Sequence, residues 1–149
     1  MLKRPAGQLI QSETNLNQLA LGVKHPWADL ILRGLKTLEI RSQPTNVRGR
    51  IYIYSSRRPA TEEFARHATS KFDVKLDELS YGLLIGDLEL VDCRPCTPED
   101  TAASCVPEEL LIGKYSWVLA NPRVFTNPLT VRFLPYGVWF YPFRRRGDM

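Results

Sequence analysis

Two adjoining stretches restrict this chain's fold more than any others. Pro26-Trp27-Ala28-Asp29-Leu30-Ile31-Leu32-Arg33 has a compact helical pattern, with Pro26 suited to the first turn and Gly34 to the position just past the end. Leu38 and Ile40 then alternate with Thr37, Glu39 and Arg41. Alternation with period two predicts a half-buried strand over 37–41. A short helix running straight into such a strand puts Glu39 and Arg41 side by side on the polar face. Lys36 sits on the turn that feeds the strand. Such an order suits a prepared polar site, although an ion pair on a solvated edge has the same spacing.

The pattern Gly-x-Lys-x-x-Glu-x-Arg follows Pro26-Trp27-Ala28 and precedes Arg48-Gly49 and a strand. In that setting it resembles the ASCH domain family, over about residues 19–141. The stretches 80–93 and 115–122 are similar to the family's central strand and its late strand and turn. Lys24-His25-Pro26-Trp27-Ala28 and Arg48-Gly49-Arg50 look most like the transcriptional cointegrator branch, which is associated with nucleic-acid binding. The resemblance implies a mostly β fold with helices (α+β): a PUA-like, partly open β-barrel of about six strands with two or three helices around a cleft. It also implies that Lys36, Glu39 and Arg41 line that cleft. In the small bacterial amidohydrolase branch a Lys and a Thr of the corresponding motif are catalytic. This chain keeps Lys36 but holds Glu39 where that Thr stands, a departure that speaks against amidohydrolase activity, so little hydrolysis of acylated nucleosides is expected; if chemistry occurs, Lys36 and Glu39 are the candidate catalytic residues.

The 149 residues, 44% hydrophobic, suffice for one domain with a real core. Residues 1–18, rich in Gln, Asn, Ser and Thr, read as a flexible N-terminal arm. The domain proper is expected over 19–143, with a basic tail over 144–149. No apolar run reaches membrane-spanning length, and the start has no secretory h-region, so the expectation is a cytoplasmic protein without membrane association.

Strands are expected at 19–23, 37–41, 50–54, 82–92, 114–125, 129–133 and the apolar stretch 138–143. A helix is expected from Pro59 to about Ser70. Gly86 sits where a bulge would curve a sheet. Asn121-Pro122 reads as a strand end. Short helical turns begin at Pro98 and Pro107.

Net charge is +4, divided sharply along the chain. Residues 24–58 hold eight Lys/Arg against two acids, residues 59–113 four against twelve, and residues 114–149 six against one. Clustering of positive charge at the motif points to a basic face that attracts phosphates.

Candidate nucleic-acid-binding residues are Lys36, Arg41, Arg48, Arg50, Lys24, Trp27, Tyr52, Tyr54 and Ser55. Arginines make bidentate phosphate contacts. Tyr52 and Tyr54 share a strand face and would form either a stacking platform or part of the barrel interior. Trp27 would stack on a base or fill the core, and core is the commoner fate. With Glu39 as neighbour, Lys36 is expected to stay charged and act as an anion ligand.

Cys93-Arg94-Pro95-Cys96 has metal-pair spacing, but Cys105, His25 and His67 do not complete a zinc set at the usual spacing, so no metal and no cofactor are expected. His25 reads as a helix cap or surface residue. The leading expectation is an RNA- or DNA-binding module whose ligand includes single strands. The alternatives are a hydrolase of nucleic-acid components, such as a ribonuclease or acylated-nucleoside amidohydrolase, and a protein-interaction module in a regulatory assembly.

Overall fold

A computed structural model describes residues 7–145. The chain forms strands β1 (Gln8–Ile10), β2 (Ala20–Val23), β3 (Leu38–Arg41), β4 (Gly49–Ser55), β5 (Leu83–Pro95), β6 (Tyr115–Leu129) and β7 (Trp139–Phe140). Helices are α1 (Trp27–Leu32), α2 (Glu63–Lys71) and α3 (Thr101–Ser104), with short 3-10 turns near residues 76, 98 and 108. All seven strands join one mixed sheet in the order β1-β6-β5-β4-β2-β7, and β3 pairs with another stretch of β6. The strands expected at the motif, at Arg50–Tyr54 and at 82–92 all form, and they belong to this one sheet.

The long antiparallel pair β5 and β6 is the spine. Its register slips at three places. At Gly86 a Cβ would stand 2.3 Å from the Arg123 carbonyl oxygen and 2.8 Å from Leu32 Cδ1, so only glycine lets helix, strand and strand meet there. Opposite Leu88, β6 holds one extra residue: Asp87 faces Arg123 while Glu89 faces Ala120. Asn121 takes a left-handed conformation (φ 52°) at this bulge. The expected strand end at Asn121-Pro122 is therefore a bulge that the strand passes through. The strand expected at 129–133 does not form; β6 ends at Leu129.

Part of the expected arm packs on the sheet. Gln8–Ile10 runs parallel to Arg123–Phe125. The Tyr52 hydroxyl donates to the Glu13 carbonyl (2.7 Å) and accepts from the Asn15 N–H (2.7 Å). A sheet edge and a buried phenol supply the backbone partners that the segment's own pattern did not reveal. Residues 1–6 and 146–149, the outer parts of the arm and tail, lie outside the described residues.

Two apolar clusters divide the core. One packs α1 and α2 on Ile51, Ile53, Leu88, Leu90 and Trp117. The other gathers Tyr52, Tyr54, Leu84, Phe125, Phe140 and Phe143. Strand β4 is therefore buried on both faces, and its Ile/Tyr alternation separates two cores rather than core from solvent.

Candidate functional site

The turn after α1 builds the site. Gly34 adopts φ 77°, and the Leu35 and Lys36 amides both return to the Leu30 carbonyl (2.9 and 3.2 Å). This closure points Lys36 inward, where it is 2% exposed. Its ammonium donates to the Ser104 carbonyl at the end of α3 and lies 3.5 Å from Glu39 Oε1. It also stands 5.1 Å from the Trp27 ring centre, a cation–π contact.

Glu39, 6% exposed, receives Arg41 through Nε (2.9 Å) and Nη2 (2.8 Å). Arg41 Nη2 also donates to the Gly22 carbonyl (3.0 Å). The guanidinium lies 5.6 Å from the Trp117 ring centre, and Trp117 is itself anchored by its indole N–H on the Gln43 carbonyl (3.0 Å). Arg41 Nη1 meets no acceptor among the described residues. Of the motif strand, Glu39 is more buried than Ile40, which lines the cleft. Burial therefore follows position along the strand rather than face: Leu38 and Glu39 are buried, and Ile40 and Arg41 are half-buried.

Burial pushes the Lys36 ammonium below the ordinary lysine range, against the pull of Glu39 and a smaller one from Cys105. Glu39 favours the ammonium, as expected, but loss of water is the larger influence on this lysine. Lys36 is therefore closer to releasing its proton than a surface lysine.

These residues open into a cleft of about 560 Å³. Lys24, Trp27, Lys36, Glu39 and Arg41 all line it, so five of the sequence-predicted residues come together. Lys114, Phe64, Ser56 and Glu62 line it too and were not anticipated. Phe64 stacks on Trp27 (centroids 5.5 Å apart, planes at 26°), making an aromatic wall. Among the described residues, Lys24 and Lys114 meet no carboxylate within salt-bridge distance. Four cations thus share the cleft with two carboxylates, one of which, Glu39, is already engaged.

Arg48, Arg50, Tyr52, Tyr54 and Ser55 do not line this cleft. Arg48 is exposed and donates to the Thr45 and Val47 carbonyls of its own turn (2.9 and 2.8 Å). Arg50 binds Asp87, Glu89 and the Asn121 carbonyl. Tyr52 and Tyr54, 1% and 4% exposed, pack edge-on against Phe125, Phe143 and Phe140, so neither ring is available to stack on a ligand. Ser55 is fully buried and donates to the Leu83 carbonyl (3.1 Å). Its neighbour Ser56 takes the cleft position, because alternation turns one of two adjacent serines outward.

His25 is a core residue rather than a cap. It is 1% exposed, bonded through Nε2 to the Ser80 carbonyl (2.9 Å), and edge-on to Tyr81. Burial holds its imidazole below its ordinary pKa, against the Ser80 bond and Asp29. Cys96 accepts the Ser116 hydroxyl, and Cys105 ends α3 with φ 61°. Among the described residues, no three of His, Cys, Asp and Glu are grouped so as to hold a metal.

The seven-stranded mixed sheet with three helices thus carries a helix-turn-strand cleft in which Lys36 and Arg41 flank Glu39 beside the Trp27–Phe64 wall. The ASCH domain model matches residues 21–129, and the chain belongs to the ASCH domain family. It is 36% identical over 80 residues to activating signal cointegrator 1 of Homo sapiens and equally to that of Mus musculus. The match covers 49% of this chain and 14% of the length of those proteins. The crystal structure of ASCH from Zymomonas mobilis superposes with a TM-score of 0.55 at 16% identity, over 88% of this chain and 90% of that one. A point variant of the same protein gives 0.54 at 15% identity, over 86% and 91%. These likenesses establish the fold.

Proposed function

We propose that the chain is a nucleic-acid-binding ASCH module, and that the cleft around Lys36, Glu39 and Arg41 receives an unpaired nucleotide of RNA or DNA. The supporting observation is the surplus of cations in a cleft walled by Trp27 and Phe64. Lys24, Lys114 and Arg41 Nη1 supply donors for phosphate oxygens. The aromatic wall supplies an apolar surface for a base. A cavity of about 560 Å³ is of small-molecule size, which suits one nucleotide better than a duplex. The cointegrator resemblance agrees with this reading.

Fluorescence anisotropy with a labelled single strand tests it. Arg41→Ala is expected to weaken binding by about 1–3 kcal/mol if Arg41 reads a base, and by less if it meets only phosphate. Native binding is expected to fall steeply with salt. Salt-insensitive binding, or none, would move the assignment to a protein-interaction module.

One observation favours a second reading, hydrolysis of a nucleic-acid component. Burial brings Lys36 toward its neutral form, as a lysine acting in proton transfer requires. In that reading Lys36 and Glu39 share a proton at the cleft floor while Arg41 orients the carboxylate. Turnover of RNA or an acylated nucleoside by the native chain, abolished in Lys36→Ala, would promote it.

A further inference from the structure

The segment from Thr130 to Arg145 has no role in the cleft, yet its chemistry is distinctive. Across this span there is no Asp or Glu, and arginines interleave with aromatic residues. The structure folds the span so that the two residue types meet. Arg132 and Arg145 both approach the Phe133 ring, at 5.4 and 6.0 Å from its centre. Arg144 lies 3.8 Å from the centre of Tyr141. The Arg132 and Phe133 amides both donate to the Pro142 carbonyl (3.0 Å each), which pins the two ends of the span together. Arg132 and Arg145 are exposed, and so are Leu134 (62%), Tyr136 (41%) and Val138 (50%). A span without acidic residues, in which guanidinium groups lie beside rings, has a composition that suits polyanions carrying stackable bases.

Part of this span packs against the framework of the cleft. Gly22, on the cleft wall, donates its N–H to the Val138 carbonyl (3.2 Å). Trp139 stacks parallel on Trp117 (5.7 Å, planes at 8°), and Trp117 carries Arg41. The chain of contacts therefore runs Arg41, Trp117, Trp139 and on to the arginine-rich span.

We propose that the 130–145 surface is a second contact region for single-stranded nucleic acid, engaging the part of a strand that leaves the cleft. Phosphates meet Arg132 and Arg145, and bases lie on their guanidinium planes. The proposal rests on the reading of the cleft as a nucleotide site. It adds a dependence on ligand length to that reading.

The test uses the full chain, the double variant Arg132→Ala/Arg145→Ala, and a charge-matched control, Arg66→Ala/Lys75→Ala. Each is titrated with single strands of about three and about twelve nucleotides. The long strand is expected to bind the arginine variant about five- to tenfold more weakly, while the short strand changes by less than about twofold. The slope of log affinity against log salt for the long strand is expected to fall by about 1.4, or about 0.7 for each lost phosphate contact. The control variant is expected to match the native chain at both lengths. If Arg41→Ala weakens binding but the arginine variant does not, or weakens both lengths equally, the second region is overturned and the cleft stands. Absence of native binding at either length overturns both. Arginine-dependent binding to phosphatidylserine vesicles, with no effect on strands, assigns the surface to lipid and also overturns the proposal.

Discussion

Two arginine–carboxylate clusters sit on the same sheet, and they differ in what they leave open. At the bulged centre of the sheet, Asp87 accepts Arg123 through both oxygens (2.8 Å each) and Arg50 through Oδ1 (2.8 Å). Arg50 reaches on to Glu89 (2.9 Å), which also takes the Asn121 amide (3.2 Å). Two guanidiniums meet two carboxylates, and the cluster is balanced within itself. In the cleft, Glu39 is shared by Lys36 and Arg41, while Lys24 and Lys114 stand nearby without a carboxylate partner among the described residues. The first cluster locks β4, β5 and β6 together, whereas the second keeps a positive surplus facing solvent. The difference comes from sheet neighbours. The acid-rich 59–113 region supplies β5 beside Arg50, but among the described residues β3 pairs only with β6.

The largest expected effect is structural. Asp87→Ala would leave two arginines around a site that was 3% exposed, and is expected to cost about 2–4 kcal/mol in urea unfolding, discounted for the partial exposure of the arginines. The folded variant should bind single strands as the native chain does. A loss below about 1 kcal/mol would mean that the cluster is not a structural lock.

A smaller effect distinguishes the cleft lysine by pH. Lys36 has a lowered pKa in the folded chain and an ordinary one when unfolded. Between those values the unfolded chain binds more protons, so stability from this group rises with pH until about 10.5, by up to about 1.4 kcal/mol per pH unit. The native chain should gain stability relative to Lys36→Met across that window, while its strand binding weakens as the ammonium is lost. At neutral pH Lys36→Met should change stability by less than about 1 kcal/mol, since an apolar side chain replaces a desolvated charge. Parallel pH profiles for the two proteins would contradict the burial argument.

The smallest effect is expected at Arg48. Its donors close their own turn, so Arg48→Ala should alter strand affinity by less than about 0.3 kcal/mol in the same anisotropy assay. A loss like that of Arg41→Ala would extend the site beyond the cleft toward the β3–β4 loop.

How much of this was legible in the sequence follows from how local each feature is. The helix, Gly34 and the Lys36–Arg41 spacing lie within one short stretch, and the structure brings these residues together much as that stretch implied. Lys114 and Phe64 come from distant elements, and no local pattern could attach them to the motif. Tyr52 and Tyr54 alternate with isoleucines as a half-exposed strand would, but aromatic rings from β6 and the 139–143 stretch cover them. Arg50 looked equivalent to Arg41 because sequence shows a charge and not its partner across the sheet. The packing of Gln8–Ile10 depended on a free edge of β6 at Arg123–Phe125, which only the assembled sheet supplies.

The contrast between the two clusters can be read in one nuclear magnetic resonance titration of the nitrogen-labelled chain with a single-stranded oligonucleotide. The Trp27 and Trp117 indole N–H signals and the Arg41 Nε–H signal should move with ligand, because they border or underlie the cleft. The Arg123 Nε–H signal, held on Asp87, should stay in place. Movement of Arg123 with Trp27, Trp117 and Arg41 unchanged would contradict the account and transfer the binding site to the other cluster.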